Sequence, residues 1–97
     1  MLDFIMLTHS DTQSPVPAHL WPPYLAKLRE AGALQGGSAI GPGEALRKTG
    51  HPAAITDRIN GYIRIQAPDM ATARALVVGN PAFEAGATIE IRALPRD

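Results

Sequence analysis

Residues 69–94 read DMATARALVVGNPAFEAGATIEIRAL, and this stretch decides the fold. Asp69 is a typical helix N-cap, and it precedes an apolar stripe at helical spacing: Met70, Ala73, Leu76 and Val77. A glycine–asparagine–proline stop and a short connection follow at residues 79–86. Residues 87–94 then alternate apolar and polar side chains, as a strand does. The stretch therefore predicts a helix followed by a strand.

An earlier segment repeats this order of helix, glycine and strand. Two prolines at 22–23 suit the first turn of a helix, and Gly32 ends that helix after Ala31. Residues 34–40 form the next predicted strand. The paired glycines at 36–37 indicate a bulge or a close approach of another backbone.

Two further strands complete the pattern. Residues 2–8 are a short apolar run, and residues 59–66 alternate cleanly. The turn-rich residues 41–50 lie between the second and third strands, and a small hairpin is one interpretation of them. The order β-α-β-β-α-β predicts an α+β, ferredoxin-like domain: an antiparallel four-stranded sheet with two helices on one face.

The other face of this sheet carries a mixture of apolar and charged side chains. Strand parity places Ile5, Leu7 and His9 there, beside four side chains from the neighbouring strands: Tyr62, Arg64, Glu90 and Arg92. A strand that is apolar on both sides needs a layer on each side. We therefore predict a homodimer that packs through the sheet face and leaves a cleft at each end.

Composition narrows the class of protein. With 97 residues, 45% of them apolar and 19% charged, the chain is predicted to be a single globular domain over residues 1–97. The net charge is zero without a basic patch, which disfavours nucleic-acid binding. No apolar run is long enough to span a membrane, and the N-terminal residues are interpreted as a strand and not a signal peptide. Because the chain has no cysteine, disulfides and thiolate sites are excluded. A cytoplasmic location is the default expectation.

Four segments of the chain stand in a particular order and spacing: MLDFIMLTHSD (1–11), LAKLREAGALQGGSAIGP (25–42), TDRINGYIRIQAPDMATARAL (56–76) and NPAFEAGATIEIRAL (80–94). Together they resemble the YciI-like family, also called YCII-related or DGPF-domain proteins. The resemblance implies a dimeric α+β barrel with a pocket between subunits and a His/Asp pair in that cleft.

The chain departs from the family pattern at two places. Trp21 stands where YciI-like chains typically carry a histidine, and the nearest histidine is His19. The Asp-Gly-Pro-Phe stretch is missing, although the resemblance places Asp57 at the position of its aspartate. The chain therefore resembles a shortened member on the DGPF side of the family.

His9 is the principal catalytic candidate. It lies at the end of the first strand on the predicted cleft face, and imidazole changes charge near neutral pH, which suits proton transfer. Asp11 and Asp57 are the candidates to orient it. The alternative is a loop histidine that is bonded to backbone.

Five other side chains are candidate ligand contacts. Trp21 and His19 would line the mouth of the pocket, unless Trp21 is simply a core anchor. Arg64 and Arg92 would hold an anion, unless they pair with glutamate, and Tyr62 would donate a hydrogen bond or pack in the interface. The histidine spacing favours no metal site, and no motif indicates a cofactor.

The leading hypothesis is a small-molecule-binding protein, and in its catalytic form a cofactor-free acid/base enzyme that uses a His/Asp pair at the dimer interface. The competing hypothesis is a non-catalytic ligand-sensing or protein-interaction module linked to transcription regulation, because DGPF-type domains can occur beside transcription factors.

Overall fold

The computed structural model describes residues 1–55 and 57–96, and these contain four strands and three helices. The strands are β1 (Leu2–His9), β2 (Leu34–Ala39), β3 (Ile59–Ala67) and β4 (Ile89–Leu94). The helices are α1 (Trp21–Glu30), α2 (Met70–Ala75) and α3 (Pro81–Glu84), and a 3-10 turn at Ala18–Leu20 leads into α1. Thr56, the first residue of the third segment quoted above, lies outside the described residues, as does Asp97.

The strands form one sheet in the order β2-β3-β1-β4. β1 pairs antiparallel with both β3 and β4, and β2 pairs antiparallel with β3. This order, with crossovers between non-neighbouring strands, is that of a ferredoxin-like fold. The fold predicted from the sequence is confirmed.

The core lies between the helices and one face of the sheet. Phe4 pairs with Ile65 and Met6 with Ile63, and these four side chains are buried together with Leu28 of α1. The period-2 alternation of the strands is therefore confirmed, because the residues predicted on this face are the buried ones.

Tyr24 ties α1 to the end of α2 across this core. Its hydroxyl donates to the Leu76 carbonyl oxygen at 2.7 Å and lies 3.6 Å from the Met6 sulfur. Burial raises the pKa of Tyr24 to about 12, because the phenolate would lose its hydration there. The tyrosine therefore stays a neutral hydrogen-bond donor.

The caps of α2 and α3 follow from local sequence. Asp69 accepts a hydrogen bond from Thr72 N at 2.7 Å, as the N-cap prediction requires. Met70 is 40% exposed, so its predicted place in the core stripe is wrong; burial begins one turn later, at Ala73. α3 was not predicted. Asn80 caps it by accepting from Ala82 N and Phe83 N, so the Asn-Pro pair interpreted as a stop and connection starts a helix.

β2 contains the bulge that its glycines predicted. The register shifts between Leu34 and Gly36, and Gly36 has φ +134°. A Cβ on Gly37 would lie 2.6 Å from the Tyr62 carbonyl oxygen, so two backbones approach closely here. The hairpin suggested for residues 41–50 is wrong, because residues 40–55 contain neither strand nor helix and residues 41–55 are exposed. Prolines in this segment lack the N–H that a strand ladder needs.

Candidate functional site

Chemistry-bearing side chains gather at two places on opposite faces of the sheet. The first is an open cavity between α1 and the β2–β3 side of the sheet, called here the helix-side cavity. The second lies on the uncovered face and consists of His9, Glu90 and Arg92, called here the sheet-face cluster. Both include residues at the end of the sheet where β1 finishes and β3 begins.

The helix-side cavity has a volume of about 780 Å³. α1 supplies one wall through Trp21, Leu25 and Arg29, which are four residues apart and therefore lie along one side of the helix. β2 supplies the opposite wall, where Gly36 and Gly37 carry no side chain to fill the space. The glycines of the bulge therefore also border the cavity.

Apolar side chains dominate the walls of this cavity. Trp21, Leu25 and Leu34 are half-buried and pack against the core, while Ile63 is itself a core residue. The Trp21 ring meets the Tyr24 ring edge to face, with centroids 6.4 Å apart, which fixes the indole at the cavity wall. The cavity therefore presents mainly apolar surface.

A small set of polar groups accompanies these walls. Thr8, Ser38 and Asn60 line the cavity near the end of β1, and Thr12 lies in the loop that follows. Arg29 stands two turns along α1 from Trp21, and it is the one charged side chain among the described residues that line the cavity. The lining therefore combines a few polar residues with a single cation.

The sheet-face cluster is a chain of charge-assisted contacts. The Nε2 atom of His9 lies 3.0 Å from Oε1 of Glu90, and an ionised carboxylate can only accept, so the imidazole donates. Arg92 Nε donates to the other carboxylate oxygen at 2.5 Å. The hydrogen bond from Arg92, followed by that from His9, lowers the pKa of Glu90 below its ordinary value. The carboxylate thus stays ionised beside the imidazole.

The two aspartates predicted to orient His9 lie nearby but make other contacts. Asp11 accepts from Thr88 N at 2.8 Å and from the Thr88 hydroxyl at 2.7 Å, which lower the pKa of the Asp11 carboxyl. Asp57 is exposed, and its main-chain oxygen accepts from the Ser10 hydroxyl at 3.2 Å. The carboxylate in contact with His9 in this structure is therefore that of Glu90. Strand parity already placed Glu90 on the face of His9, and this was the signal that could have identified it.

The predicted ligand contacts divide between the two faces. Trp21 lines the helix-side cavity. Tyr62 borders the same cavity as a residue of β3, although strand parity places its side chain with that of Arg64 on the opposite face. Arg64 and Arg92 are exposed on the opposite face, and His19 is exposed in the 3-10 turn before α1. Leu25 and Arg29 were not predicted to line a cavity, although their spacings of four and eight residues from Trp21 place them on the same side of the helix.

The described ranges 1–55 and 57–96 contain no group of three histidine, aspartate or glutamate side chains that could hold a metal ion. In the same ranges no helix has the length and apolar character to cross a bilayer.

Comparisons with known proteins give the family of this chain. The family model of the YCII-related domain matches residues 6–95, so the chain belongs to that family. A solved structure of 5-chloro-2-hydroxyhydroquinone dehydrochlorinase from Burkholderia phenoliruptrix AC1100, in complex with 2,5-dihydroxybenzoquinone, is similar in fold. Its TM-score is 0.57 at 14% sequence identity, over 99% of this chain and 96% of that one. A search of curated proteins finds no match.

Proposed function

We propose that this protein binds a small organic molecule in the helix-side cavity. The observation that carries the proposal is the cavity itself: about 780 Å³, walled mainly by apolar side chains, with few polar groups. Ligand sites in proteins typically have a volume of about 300–1,000 Å³ and are lined mainly by apolar side chains with a few polar groups. The similar dehydrochlorinase structure holds a small ring compound, which supports a small-molecule role for the fold.

A thermal-shift screen with a metabolite library tests this proposal. Ala39 lines the cavity and is exposed, so Ala39→Phe fills the cavity without removing a core contact. Ala53→Phe is the matched control, because Ala53 is equally exposed but lies in the 41–55 segment away from the cavity. We expect compounds that raise the Tm of wild type and Ala53→Phe but not of Ala39→Phe. Compounds that stabilise all three proteins equally, or no stabilising compound at all, would contradict the proposal.

Catalysis at the sheet face is a second candidate, favoured by the 3.0 Å contact between His9 and Glu90. In this proposal His9 carries a proton to or from the substrate, and the carboxylate of Glu90 holds the imidazole in place. Arg92 or Arg64 anchors an anionic group. Asp11 and Asp57, at the same end of the sheet, are further carboxylates within the proposed site.

This second candidate includes a homodimer that packs through the sheet face. Ile5 and Leu7 occupy the centre of that face and are only half-buried in the single chain. Ile5 lies between Arg64 and Arg92 across the sheet, so a second copy would cover the apolar centre while the charged side chains border a cleft. Leu7→Lys should therefore yield monomers by light scattering. Leu46→Lys, at a side chain that is 89% exposed, should leave the mass unchanged.

NMR of the histidine side chains separates catalysis from mere binding or interaction. If His9 acts with Glu90, the ring ¹⁵N chemical shifts of His9 should change in Glu90→Gln, because the substitution replaces the carboxylate that accepts from Nε2. They should also respond to any ligand bound in the sheet-face cleft. His51, exposed in the 41–55 segment, is the internal control. A His9 signal that ignores both Glu90→Gln and the ligand would favour the non-catalytic sensing or interaction module.

A further inference from the structure

Charge is distributed very unevenly around the helix-side cavity. Sixteen described residues line it, and among them Arg29 carries the one charged side chain, with no acidic residue present. Arg29 also forms no ion pair with any residue that the structure describes. A guanidinium beside an apolar cavity has the donor geometry to bind a carboxylate or phosphate group in two-point fashion.

The position of Arg29 also determines how far the cation lies from the Trp21 indole. Trp21 and Arg29 are eight residues apart on α1, which at 1.5 Å per residue places them about 12 Å apart along the helix axis. Leu25 lies between them, and Leu34 and the bare glycines of β2 face them. The surface between the cation and the indole is thus apolar over about 12 Å.

From this arrangement we propose that the ligand of the helix-side cavity is an amphipathic anion with a single charged head. The head pairs with Arg29, and an apolar body of up to about 12 Å lies along Leu25 and reaches the Trp21 indole. This proposal rests on the proposed binding function of the cavity and adds the chemical class of the ligand.

Trp21 makes the test direct, because it is the single tryptophan of the chain and lines the cavity. Its fluorescence is followed during titration with decanoate, decan-1-ol and decyltrimethylammonium, which share one body and differ in head charge. Biphenyl-4-carboxylate distinguishes an aromatic from an alkyl body. We expect both carboxylates, or one of them, to bind more tightly than the alcohol, and the cation to bind least.

Variants assign the preference to Arg29. Arg29→Gln should weaken carboxylate binding about fivefold, as expected for an exposed ion pair, and leave decan-1-ol binding unchanged. Arg74 is an exposed arginine of α2 that does not line the cavity. Arg74→Gln should therefore leave the binding of the carboxylates and of decan-1-ol unchanged.

The outcomes separate this inference from the binding function on which it rests. If decan-1-ol and decanoate bind equally, and Ala39→Phe abolishes both, the cavity is a binding site but the anion proposal is wrong. The anion proposal is also wrong if the Arg29→Gln variant binds decanoate with the affinity of the wild type. If no probe alters Trp21 fluorescence, and the library screen finds no compound that Ala39→Phe excludes, both proposals fail.

Discussion

Gly37 offers the sharpest test of how β2 is built. A Cβ at this position would lie 2.6 Å from the Tyr62 carbonyl oxygen and 3.1 Å from the Ile63 Cα. Both neighbours are backbone atoms of β3, so the clash can be removed only if the two strands move apart. The movement needed is about 0.8 Å, the difference between 2.6 Å and an ordinary contact distance of 3.4 Å. Overpacking of this kind costs about 1–3 kcal/mol. Gly37→Ala should therefore lower the free energy of unfolding by about that amount.

Thermal unfolding followed by circular dichroism measures this cost. For a domain of this size, each kcal/mol corresponds to a shift in Tm of about 4–8 °C, so we expect a fall of at least about 4 °C. Gly41→Ala is the matched control, because its Cβ would meet nothing within 4 Å. Such a substitution at a compatible position stabilises by about 0.4–1 kcal/mol through the unfolded chain. Equal Tm values for the two variants would refute the close approach of β2 and β3.

Other predictions concern the core, a cap and pH. Leu28→Ala, which truncates a fully buried side chain of α1, should cost about 2–5 kcal/mol in urea unfolding; a loss below about 1 kcal/mol would contradict the packing described. Asn80→Ala removes the acceptor for two N–H groups of α3 and should cost about 0.5–2 kcal/mol in the same assay, whereas no loss would argue against the cap. Because the Thr88 contacts lower the pKa of Asp11 in the folded state, Asp11 stabilises the fold above the ordinary aspartate pKa of about 3.9. This stabilisation is lost as the pH falls through the pKa of Asp11 in the folded state. Asp11→Asn should therefore make Tm depend less on pH at acid pH. An unchanged dependence of Tm on pH would contradict this role of Asp11.

Much of the fold could be predicted because it follows from periodic patterns. The alternation in β1 and β3 fixed which side chains are buried, and Asp69 marked the start of α2. α3 was not predicted because a helix of four residues has no apolar period, and its Asn-Pro start also suits a turn. The prediction of a hairpin at residues 41–50 was wrong because glycine and proline indicate a change of chain direction but do not specify a strand partner.

The candidate site was less predictable, because a cavity arises from elements that are distant in sequence. Trp21 was predicted to line a pocket mouth and lies at the cavity wall, but Arg29 joins it there only once α1 packs beside β2. Similarly, His9 was placed on the correct face by parity, yet the register of β4 selects its neighbour Glu90. Proximity along the chain favoured Asp11, whose carboxylate instead holds the start of β4 through Thr88.

Amide and indole chemical-shift mapping of the ¹⁵N-labelled protein, with the best compound from the screen, shows directly where the ligand binds. We predict that the largest shifts fall on the helix-side cavity, at the Trp21 indole, Ala39 and Gly61, and that they vanish in Ala39→Phe. Shifts confined to Glu90 and Arg92 would place the ligand on the opposite face of the sheet and contradict this prediction.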